Sequence, residues 1–88
     1  MSEANLKKLR KKIDSIDRKI IHLLCRRFEA VGEIAEVKRN LGLSVNDETR
    51  DREVIQNCKR AAKGLDEEFV EKLAKLILKQ SKKIQSRR

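Results

Sequence analysis

A chain of 88 residues is expected to form one domain, and on its own it buries a modest share of its surface, which favours an oligomer. Charged residues make up 42% of it and aromatics 2%, with no Pro, Trp or Tyr, so a core of large aromatic anchors is excluded and Leu, Ile, Val and Ala must fill it. The net charge of +9 points to an anionic partner: nucleic acid, an acidic membrane surface or a small anionic metabolite.

From Leu6 onward, Leu9, Ile13, Ile16, Ile20, Leu23, Ala30, Ile34, Val37 and Leu41 recur at spacings of three and four, with residue 27 the one interruption. This heptad stripe predicts a single first helix over about 5–41, closed by Gly42 in a left-handed C-cap. At 1.5 Å per residue it is about 55 Å long, more than the 46 residues that follow Gly42 can cover. Around its middle, Ile20, Ile21, Leu23, Leu24 and Cys25 make it apolar on nearly every side. A second copy of the chain is the simplest partner. A shorter helix is expected over about 47–63, from Asp47 through Val54, Ile55 and Cys58 to Gly64. The third spans about 66–86, with Asp66 as N-cap and Val70, Leu73, Ile77 and Ile84 as its stripe.

The two cysteines, Cys25 and Cys58, are 33 residues apart, and with a single His22 they suit neither a disulfide framework nor a zinc site. Both read as reduced thiols in or near a core. No signal-peptide pattern opens the chain and no apolar run approaches about 18 residues, so the cytoplasm is the expected location and no membrane association is expected.

Some residues break the pattern. Arg27 takes a stripe position, seven residues from both Ile20 and Ile34, so a guanidinium is aimed into the core and needs a carboxylate, from a protein side chain or from a ligand. Lys38, eleven residues on, returns to within about 20° of the same helix face. Arg10 shares the heptad position of Lys38 but lies about 42 Å from it along one rod, so the two can share a ligand only if Arg10 comes from another chain. Taken alone, Arg10 reads as an exposed member of the run KKLRKK. On the third helix Ala74, Leu78, Ser81 and Gln85 form a line that turns from apolar to polar, either capping a polar cavity or marking a solvated tail, and the spacing by itself favours the tail. Asp47 reads as an N-cap, with Arg50 and Asp51 as a surface ion pair.

As an ordered set, these positions resemble the all-helical (type II) chorismate mutases from Leu9 to Gln85. The matching segments are LRKKIDSID at 9–17, LLCRR at 23–27, Lys38 eleven residues after Arg27, DETRD at 47–51, and Ser81 with Gln85 four residues later. The resemblance implies an all-α, intertwined six-helix homodimer of three-helix chains, each with a very long first helix. It also implies a Claisen rearrangement of chorismate to prephenate in phenylalanine and tyrosine biosynthesis. By the same analogy Arg10 of one subunit and Arg27 of the other bind the substrate carboxylates. Lys38 contacts a carboxylate and the ether oxygen, Gln85 donates to that oxygen, and Ser81 supports a carboxylate. The backbone at Asp47 and the acid at 51 hold the ring hydroxyl, with Arg50 nearby. The family carries Glu where this chain has Asp51, a carboxylate one methylene shorter.

A unimolecular rearrangement needs no nucleophile, general base, metal or cofactor, and none is expected here. It needs a compact conformer and donors for the charge growing on the ether oxygen. Another reaction of the same scaffold, that of an isochorismate-pyruvate lyase, is the nearest alternative. A basic helical dimer on nucleic acid fits the charge but leaves Arg27 unexplained and lacks stacking aromatics. A purely structural coiled coil fits the heptads without requiring the polar set.

Overall fold

The computed structural model describes residues 2–87. Within them lie three helices, α1 (Glu3–Leu41), α2 (Glu48–Ala61) and α3 (Glu67–Arg87), and no strand. Helix α1 starts two residues ahead of the expected boundary because Ser2 caps it, its hydroxyl oxygen accepting the Asn5 N–H at 3.2 Å. Helix α2 ends at Ala61, short of 63, as the chain turns through Gly64 at φ 93° and Leu65 N–H reaches Ala62 O at 3.1 Å. Asp47 and Asp66 accept backbone N–H groups at the starts of α2 and α3, from Arg50 at 3.0 Å and Glu68 at 3.2 Å.

The chain divides into two compact units, Met1–Ala30 and Val31–Arg88. In the first, the apolar stripe of α1 is open in the single chain, with Ile13, Ile20 and Leu23 all at least half exposed. Cys25, expected near a core, is exposed among these residues, and Cys58 in the second unit is half-buried. Both thiols are free.

In the second unit the buried residues are Val31, Gly32 and Ala35 of α1 and Val70, Ala74 and Ser81 of α3. Most are small, which suits close approach of helix backbones. Helix α2 packs on α3, and two ion pairs fix their sense: Asp51 with Lys82 at 2.8 Å and Lys59 with Glu71 at 3.7 Å. The earlier residue of α2 meets the later residue of α3, so the two helices are antiparallel.

The end of α1 is a Schellman cap. Gly42, at φ 69°, donates its N–H to Arg39 O at 3.2 Å, and Leu43 donates to Lys38 O at 2.8 Å. Open space surrounds the place where a Cβ would stand on Gly42, so replacing it tests backbone conformation alone. Gly42→Ala is expected to lower stability by about 1–2 kcal/mol in urea unfolding, and Gly42→Asn by less, since Asn tolerates the left-handed region. Equal losses from the two would mean that the positive φ is not what Gly42 supplies.

Candidate active site

The cap brings the chain back over Lys38, whose backbone carbonyl it holds and whose side chain it meets. The Lys38 ammonium donates to Val45 O at 3.2 Å and to Gln85 Oε1 at 3.0 Å. Both side chains are half-buried. An ammonium can only donate, so Gln85 must turn its oxygen to Lys38, and this directs its NH2 group away from the lysine. Two preorganised donors therefore stand side by side, one cationic and one neutral. A third ammonium proton remains for an acceptor on a ligand.

One turn back on α3, Ser81 is buried at 4% exposure, not part of a solvated tail. Its hydroxyl donates to Ile77 O at 2.8 Å, the back-bond common for serine within helices. For Ser81 to donate to a ligand carboxylate, that hydroxyl must rotate off Ile77.

The expected surface pair of Arg50 with Asp51 does not form. Neighbours in sequence point about 100° apart on a helix. Arg50 instead meets Glu53 at 3.3 Å, both exposed, and Asp51 turns toward α3 to meet Lys82 at 2.8 Å. Asp47 spends its carboxylate on the N-cap, so toward a ligand it can offer its backbone. Lys82 is the residue missed by sequence reasoning. Its signal was its spacing, four after Leu78 and three before Gln85, but it also opens the basic run at the chain's end.

Arg10 and Arg27 belong to the first unit. Arg10 is exposed, and Arg27 is half-buried with its guanidinium 6.0 Å from the Phe28 ring centroid, near the outer limit for cation–π attraction. Among the described residues no group of three or more His, Cys, Asp and Glu could hold a metal ion, and no helix is long and apolar enough to cross a membrane.

Residues 9–86 match the family described as chorismate mutase type II. The chain belongs to the type II chorismate mutases. It is 32% identical over 82 residues to the chorismate mutase of Methanocaldococcus jannaschii, covering 91% of this chain and 83% of that protein. To the T-protein of Enterobacter agglomerans it is 30% identical over 80 residues, and there it spans 21% of the relative's length. Among solved structures it resembles a conserved hypothetical protein from Pyrococcus furiosus, with a TM-score of 0.79 and 33% identity over 96% of this chain and 99% of that one. Membership makes this chain an isomerase of aromatic amino acid biosynthesis, whose family substrate is chorismate. The match spans every candidate site position, from Arg10 to Gln85.

Proposed function

We propose that this chorismate mutase is a cytoplasmic homodimer that supplies prephenate for phenylalanine and tyrosine synthesis, with each site drawing Arg10 from one subunit and the remaining residues from the other. The observation that carries the site assignment is the Lys38–Gln85 hydrogen bond at 3.0 Å, which joins residues 47 positions apart in sequence and aims both at one locality. In this reading Arg10 and Arg27 select the compact conformer by binding the two carboxylates. Lys38 and the Gln85 NH2 group meet the ether oxygen as its bond to carbon breaks. If each donor supplies about 3 kcal/mol to the transition state, the two account for about four powers of ten in rate.

The apolar surface of α1 supports the dimer. Among the described residues only Val31, Ala35, Val70 and Ala74 are buried hydrophobics, while Leu6, Leu9, Ile13, Ile16 and Ile20 are each 45% exposed or more. A second copy would cover such a stripe.

Purified protein mixed with chorismate should deplete its absorbance, and proton NMR should identify prephenate as the product. Pyruvate released in its place, or no turnover, would overturn the assignment.

A further inference from the structure

The family analogy leaves Lys82 without a task, yet it makes the shortest ion pair between α2 and α3. Its ammonium lies 2.8 Å from Asp51 Oδ2, with the Asp51 side chain 23% exposed and that of Lys82 40% exposed. Both line a groove of about 330 Å³ between the helices, together with Ile55, Leu78, Lys75 and Lys79. Lys82 directly follows the buried Ser81 and precedes Gln85 by three residues, so it belongs to the segment of α3 that carries the proposed site.

A carboxylate is an awkward neighbour for a dianion. Left alone, Asp51 would repel the substrate that Arg10, Arg27 and Lys38 are there to attract, and without the Lys82 ammonium nothing among the described residues would hold its carboxylate in one orientation. We propose that Lys82 is a positioning residue of the site: it fixes the Asp51 carboxylate for the substrate's ring hydroxyl and cancels its charge. With Oδ2 turned to Lys82, Oδ1 is the oxygen that faces a hydroxyl donor. The pair as a whole is neutral, so it recognises the hydroxyl without weakening the attraction for the two carboxylates. The shorter Asp and the lysine on the facing helix thus form one recognition element. This inference rests on the assignment of Asp51 to the ring hydroxyl.

A double-mutant cycle on the full chain, assayed with chorismate, tests it. Lys82→Met keeps most of the stem and removes the charge. In the parent background it should lower kcat/KM about tenfold, chiefly through KM, because holding the hydroxyl helps ground state and transition state alike. In an Asp51→Asn background the same change should cost at most about threefold, because the carboxylate it serves is gone. Lys82→Arg, which keeps the cation, should restore most of the activity. Circular dichroism melting of each variant separates loss of fold from loss of positioning. Equal losses from Lys82→Met in both backgrounds would overturn the proposal while leaving the function intact. A parent enzyme that does not turn over chorismate would overturn both.

Discussion

Arg10→Ala and Arg27→Ala enzymes, assayed separately, should each lose about 10²–10³-fold in kcat/KM, and an equimolar mixture of the two should regain about one quarter of parental activity. Each arginine is assigned to one carboxylate of a dianion that must be held folded, and removing such a cation costs about 3–4 kcal/mol of transition-state stabilisation. The recovery follows from the geometry of one helix. Arg10 and Arg27 are 17 residues apart on α1, about 26 Å along its axis, too far for one small molecule to touch both in a single chain. In a heterodimer of the two variants, one site lacks both arginines and the other has both. Random exchange makes half the dimers mixed, each with one working site of two. Native mass spectrometry of the mixture shows whether subunits exchange. Mixed dimers that remain as inactive as the separate variants would show that Arg10 does not act across the interface.

Gln85→Glu should be about 10²–10³-fold slower than the parent at neutral pH and recover in acid. The substituted carboxyl would stand where Gln85 Oε1 now stands, 3.0 Å from the Lys38 ammonium, and an opposite charge at that distance favours the ionised form. Ionised, it can only accept, so it claims Lys38 and repels the oxygen on which negative charge develops. Protonated, it donates as the amide does. The amide of the parent does not titrate, so the informative quantity is the ratio of variant to parent rates. Above the carboxyl pKa that ratio should climb about tenfold per unit fall in pH, and the nearby cation displaces the plateau toward lower pH than an ordinary glutamate would give. A ratio independent of pH would remove Gln85 from the ether oxygen.

The three helices were legible because their apolar residues fall at spacings of three and four and because Gly42, Asp47 and Asp66 have the chemistry of caps. The N-terminal boundary of α1 was misplaced because Ser2, a good cap, stands before residues with no apolar rhythm. The juxtaposition of Lys38 and Gln85 came from the family pattern, and the geometry adds which end of the amide faces which way. By spacing alone Ser81 leans toward a solvated tail, since Lys82, Lys83 and Arg87 follow it, and only the family pattern puts it in the site; its own line on α3, through Ala74, turns inward. Lys82 was hidden in the same way. A run of like charges reads as uniformly solvated, and only the antiparallel packing of α2 on α3 singles out the member that meets a carboxylate.

The two connections between helices differ in how much length they can absorb. Surface loops usually accept extra residues at small entropic cost. The segment after α1 is not free in that way. Its first two residues are bonded to the last turn of the helix, and three residues beyond Gly42 the Val45 carbonyl receives the Lys38 ammonium. A residue inserted between Gly42 and Val45 would shift that carbonyl by up to about 3.8 Å and leave Lys38 to find another acceptor. The connection between α2 and α3, around Lys63 and Gly64, holds none of the proposed site residues, and the space around Gly64 is open. Tags, linkers or whole inserted domains therefore belong in the second connection, while the first has a length set by the chemistry it frames.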